Sequence, residues 1–98
     1  MEIKISHGDN LTIALTGRLD TVTSTALLDA FAKEEKKESL VIIDMKELEY
    51  ISSAGLRALL AIKKELTAAG KGFEVHNLNS VCQEVLKVTG FINILNVK

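Results

Sequence analysis

Two adjacent serines, Ser52 and Ser53, carry the hydroxyls best placed for chemistry in this chain. Before them runs Leu40-Val41-Ile42-Ile43-Asp44-Met45, and after them Leu56, Leu59, Leu60, Ile62 and Leu66 recur at helical spacing. The start of a helix offers unpaired backbone N–H groups and the positive end of the macrodipole. A hydroxyl there can cap the helix, with Ser53 as N-cap and Ser52 in the loop. It can equally carry a phosphate that the same N–H groups stabilise. Ala54 and Gly55 leave little bulk around the hydroxyls, and Ala54, Ala58 and Ala61 continue a low-bulk strip suited to close approach by a partner.

Other chemistries find less support. A hydrolase using Ser53 as nucleophile lacks Gly-x-Ser-x-Gly, and the chain offers only two histidines as base. Neither Gly-x-Gly-x-x-Gly nor the Gly-x-x-x-x-Gly-Lys-Ser/Thr loop of nucleotide-binding proteins is present. His7 falls in a turn, His76 in a strand and Cys82 in a helix, with no partner at ligand spacing. No metal and no cofactor are expected.

The 98 residues suit one domain, 1–98, and the net charge of −1 gives no bulk pull towards nucleic acid or anionic membrane. Tyr50, Phe31, Phe73 and Phe91 are the only aromatic residues, too few for a base-stacking platform. No apolar run approaches the ~20 residues that span a bilayer. Met1-Glu2-Ile3-Lys4-Ile5 lacks a signal peptide's apolar core, and the lone Cys82 fits a reducing compartment. A cytoplasmic protein, monomeric or weakly dimeric, is expected.

The elements that must position the serines follow from periodicity. Glu2–Ser6 and Leu11–Thr16 alternate apolar and polar around the turn cluster His7-Gly8-Asp9-Asn10, which predicts a β-hairpin. Gly17-Arg18-Leu19-Asp20 leads into a helix from about Thr23 to Lys36, with Asp20, Thr21 or Thr23 as cap and Leu27, Leu28, Phe31 and Ala32 as its stripe. Leu40–Met45 reads as a central strand buried on both faces, followed by a polar connection, Lys46 to Glu49. The second helix spans about Ser53 to Ala69 and stops at Gly70; Arg57, Ala61, Lys64, Glu65 and Ala68 lie opposite its core stripe. A strand at Phe73–Leu78, a helix at Val81–Val88 capped by Asn79 or Ser80, and a last strand at Ile92–Val97 complete the order β-β-α-β-α-β-α-β. Val81, Cys82, Val85 and Leu86 should face inward on that third helix. This is an α/β fold with a mixed sheet. The strands before Asp20 and before Ser52 should exit at one sheet edge, where sites of open α/β sheets lie.

These pieces together resemble the STAS domain of bacterial anti-sigma-factor antagonists. The resemblance rests on Gly17-Arg18-Leu19-Asp20, Val41-Ile42-Ile43-Asp44-Met45, Ile51-Ser52-Ser53-Ala54-Gly55-Leu56, Asn77-Leu78 and Thr89-Gly90-Phe91, and covers essentially the whole chain. It implies a non-enzymatic switch. In that family a serine kinase that is also an anti-sigma factor phosphorylates the residue two places before Gly-Leu, here Ser53. The unphosphorylated antagonist binds the anti-sigma factor and frees the sigma factor, and a PP2C-type phosphatase resets the cycle. The resemblance places partner contact at Asp20, at Asp44 closing the central strand, and at Ser52, Ser53, Ala54, Gly55, Arg57 and Ala58. Many antagonists carry Asp where this chain has Ser52, which makes Ser52 an alternative acceptor. The resemblance also admits an unphosphorylated scaffold subunit of a larger assembly, such as a phospholipid transporter.

Overall fold

Parallel strands joined by helices, each crossing to the next strand on the same side, give this chain its shape. A computed structural model describes residues 1–98. The elements are β1 (Glu2–Ser6), β2 (Leu11–Leu19), α1 (Thr21–Lys33), β3 (Leu40–Ile51), α2 (Ser53–Ala68), β4 (Gly72–His76), α3 (Ser80–Thr89) and a 3-10 turn (Phe91–Asn93). One sheet has the order β1-β2-β3-β4, antiparallel at β1–β2 and parallel beyond. The hairpin stands as expected, with Ser6 opposite Thr12 and Glu2 opposite Thr16.

Both crossovers step one strand in the same direction. Right-handed connections of that kind place their helices on one face. Leu11, Ile13 and Leu15 of β2, Val41, Ile43 and Met45 of β3, and Phe73 and Val75 of β4 are buried in a core with Leu27, Phe31, Leu56, Leu59, Ile62, Leu66, Cys82 and Leu86. Thr12, Ala14, Ile42, Asp44 and Glu74 on the other face are only half-buried. The reading of β3 as covered on both faces is therefore corrected. Ile42 makes the apolar run continuous, yet no helix covers its side.

β2 and β3 are also longer than their sequence patterns imply. From Ala14↔Asp44 to Thr16↔Glu47, β2 advances two residues while β3 advances three; from Gly17↔Leu48 to Arg18↔Tyr50 the same slip recurs. Each extra β3 residue is a bulge, which breaks the two-residue period and re-aims the side chains. Met45, Leu48 and Ile51, three apart, all face the core as a result. The predicted polar connection Lys46–Glu49 is thus strand, and it carries β3 on to the serines.

The C-terminus departs from expectation. In place of a strand over Ile92–Val97, the chain makes the 3-10 turn and then a single parallel bridge, Val75↔Val97. Gly90 at φ 80° ends α3 in the left-handed conformation, and Leu95 is buried. On α1, Leu28 and Ala32 are exposed and Ser24 is buried in their stead. On α3, Val81 faces solvent while Cys82 and Leu86 face the core.

Candidate functional site

The carboxyl ends of β2 and β3 lie side by side, with Leu19 paired to Ile51. Each strand turns at once into a helix, so Asp20 before α1 and Ser52 before α2 stand together. The Ser52 N–H donates to the Leu19 carbonyl at 2.9 Å, tying the two turns. Gly55 makes the approach possible. A Cβ there would stand 2.9 Å from Ile51 Cγ1, Leu19 Cγ and the Leu19 carbonyl oxygen, inside normal contact. The first turn of α2 is pressed directly onto the end of β2, which only glycine allows.

Within this junction the two serines have separate tasks. Ser52 has extended backbone (φ −94°, ψ 173°), and its Oγ accepts from the Gly55 N–H at 3.2 Å, which makes it the N-cap. Ser53 is the first helical residue, exposed, and no intramolecular hydrogen bond holds its hydroxyl. The expectation of Ser53 as cap is corrected: the cap needs the extended conformation, and Ser52 alone has it. No acidic side chain occupies the first turn of α2, so the positive end of its dipole is uncompensated.

Asp20 caps α1. Its Oδ1 accepts from the backbone N–H groups of Val22 (3.1 Å) and Thr23 (3.0 Å) and lies 3.1 Å from the Thr23 hydroxyl. Thr23 Oγ1 in turn accepts from the Asp20 N–H at 2.8 Å, completing a capping box. These bonds, first from the Thr23 N–H and then from its hydroxyl, hold the Asp20 carboxyl below its ordinary range. All of them fall on Oδ1, and Oδ2 accepts no hydrogen bond from the protein.

The other expected site residues divide. Ala54 is half-buried and Arg57, one turn beyond Ser53 on the same helix face, is exposed. Ala58 is only 3% exposed and Gly55 is buried, so both act by packing and offer no surface to a partner. The strip Ala54, Ala58, Ala61 fails as a single face for the same reason. Asp44 does not close its strand. It sits on the open sheet face, where its Oδ1 accepts from Asn77 Nδ2 and the Lys46 N–H, both at 3.0 Å. Six residues of bulged strand, spanning roughly 20 Å, separate it from Ile51 at the serine junction.

Two features escaped the sequence reading. Val22 is 79% exposed beside Asp20, a large apolar side chain in open solvent. Its signal was its position, about 140° around the helix from Leu27 at 100° per residue. Arg18 lies over the Tyr50 ring at 4.5 Å, bracing the last pairing before the junction; only the bulged register brings these two together. No surface hollow includes Ser53: the nearest, lined by Arg57, Leu60, Ala61 and Lys64, lies further along α2. No group of three His, Cys, Asp or Glu side chains is placed to hold a metal ion, and no helix is long and apolar enough to cross a membrane.

Comparison with known proteins agrees with this architecture. The STAS domain pattern matches residues 1–98. Over 99% of its length the chain is 31% identical to the protein called BtrV of Bordetella bronchiseptica, named as an anti-sigma factor antagonist, 85% of which is covered. It is 26% identical over its full length to the anti-sigma-B factor antagonist of Listeria monocytogenes, covering 87% of that protein. The crystal structure of an anti-sigma factor antagonist from Mycobacterium paratuberculosis superposes with a TM-score of 0.85 at 23% identity, over 98% of this chain and 83% of that one. The chain belongs to the STAS domain family.

Proposed function

We propose that this protein is an anti-sigma-factor antagonist switched by phosphorylation of Ser53. The observation that carries the reading is the division of labour at α2: Ser52 holds the cap, and Ser53 presents a free, exposed hydroxyl at the first helical position. In the unphosphorylated state the surface formed by Asp20 Oδ2, Val22, Ser53, Ala54 and Arg57 binds an anti-sigma factor that is also a serine kinase, and the sigma factor is released. That kinase transfers phosphate to Ser53, and a PP2C-type phosphatase removes it. The setting is the cytoplasm.

Phosphate adds about −1.5 to −2 charge at neutral pH. On Ser53 it stands beside unpaired N–H groups and the positive dipole end, so the fold tolerates it. The added charge and bulk instead oppose docking, beside the Asp20 carboxylate. A difference of about 1.4 kcal/mol is tenfold in affinity, so a modest penalty suffices to exchange partners.

Titration calorimetry of the purified anti-sigma factor with the parent, Ser53→Ala and Ser53→Asp tests this. Ser53→Ala binds like the parent and resists the kinase; Ser53→Asp keeps its fold and binds at least about tenfold more weakly. Equal binding by Ser53→Asp would defeat the charge mechanism.

A further inference from the structure

At the sheet edge remote from Ser53, the β1–β2 turn meets the connection from α1 to β3. His7 of the turn stands between two carboxylates of that connection. Its Nε2 is 2.6 Å from Glu34 Oε1 and its Nδ1 is 2.8 Å from Glu38 Oε2. A neutral imidazole has one N–H and one bare nitrogen, so it donates to one carboxylate and turns a lone pair on the other. Only the imidazolium donates to both. Because the carboxylates sit on opposite ring nitrogens, they do not converge with either nitrogen on a common cation, and the cluster is not a metal site.

Among the side chains nearby, only His7 bonds to these two carboxylates. The Glu38 side chain is 8% exposed, with Oε2 on His7 and Oε1 buried without a partner. A carboxylate enclosed in this way depends heavily on the cation it touches. Lys33, Glu35 and Lys37 line the same hollow, and Lys37 Nζ is 3.7 Å from Glu35. Lys36 Nζ donates to the Phe31 and Glu34 carbonyls. Lys71, from the α2–β4 connection, donates to the carbonyls of Lys36 and Glu38. Asp9 is the other charged group of the turn. None of these lysines bonds to the Glu34 or Glu38 carboxylate.

We propose that His7 is a pH-operated latch: protonated, it clamps the β1–β2 turn to the α1–β3 connection through Glu34 and Glu38, and deprotonated it releases one of them. Hydrogen bonds to Glu34 and then Glu38 raise the His7 pKa above its ordinary 6.5. A raised value means that the stabilisation is complete below 6.5 and is lost as pH rises through the higher folded value. For Glu38, burial acts to raise the pKa, but its own backbone N–H and His7 outweigh burial and leave it below 4.5. That contribution is complete above 4.5 and is lost as pH falls through the lower folded value. The latch is therefore fully closed between 4.5 and 6.5 and opens on the alkaline side, across the range where histidine charge is physiologically sensitive.

Nitrogen-15 NMR of the histidine rings in the intact protein, together with melting curves, tests the proposal. At pH 6.5, where an unperturbed imidazole is half protonated, His7 is expected to be more than half protonated, and Glu38→Gln should lower the pH at which its ring titrates. The melting-temperature gap between the parent and His7→Gln should be wider at about pH 6 than at about pH 9. His76 also touches a carboxylate, Glu74 Oε1 at 2.8 Å, so His76→Gln serves as a control that leaves the gap unchanged. A His7 that titrates at or below its ordinary value, or a gap that is the same at both pH values, would overturn the latch.

Discussion

The two edges of the sheet are built by opposite means. At the edge carrying Leu19 and Ile51, short side chains do the fixing: Asp20 and Ser52 cap helices, Thr23 completes a box, and Gly55 lets backbone meet backbone. At the opposite edge, long cationic side chains do it. Lys36 and Lys71 hold backbone carbonyls, and His7 bridges Glu34 and Glu38. Fixing an edge with short groups leaves its outer surface clear. Ser53 Oγ, Asp20 Oδ2, Val22 and Arg57 are held in place yet uncommitted, as the proposed partner contact requires.

The contrast is broken most severely at Gly55. Gly55→Val puts branched carbon where even a Cβ meets three atoms at 2.9 Å, and should lower stability by about 3 kcal/mol in urea unfolding. Next come the serines, tested one at a time. Ser52→Ala should lose about 1 kcal/mol with the cap, whereas Ser53→Ala should stay within about 0.5 kcal/mol of the parent. If the two cost the same, their assigned roles are wrong. Acid melts then probe Asp20. Its lowered pKa means its contribution is complete above 3.8 and fades as pH falls through the lower folded value, so Asp20→Asn should flatten the acid limb of the parent's stability curve. Smallest in stability is Val22→Ser, within about 0.5 kcal/mol by thermal melting, since its side chain packs on little. Its effect should appear in weaker binding of the anti-sigma factor.

Most of the architecture was legible in the residues. Alternation in β1 and β2, the apolar run of β3 and the helical spacing of α2 each obey one period, and the junction of Asp20 with the serines follows from parallel strands. What was hidden depends on register. Two bulges convert the period of β3 from two to three, so Leu48 read as part of a polar connection and Asp44 as the close of the strand. The identity of the cap was hidden for a related reason. Ser52 and Ser53 are the same residue type, and only the backbone angle at the end of the lengthened β3 decides between them. Ala58 passed for surface because small residues suit both close-packed core and open face. The His7 clamp joins residues 27 and 31 positions apart, beyond the reach of any local pattern.

The measurement that bears most directly on the central claim is peptide mass spectrometry of the protein isolated from its own cells, with and without phosphatase treatment. A single phosphatase-sensitive phosphate on Ser53, with Ser52 unmodified, is the expected result. Phosphate on Ser52 in its place, or none under any growth condition, would contradict the assignment of Ser53 as the switch.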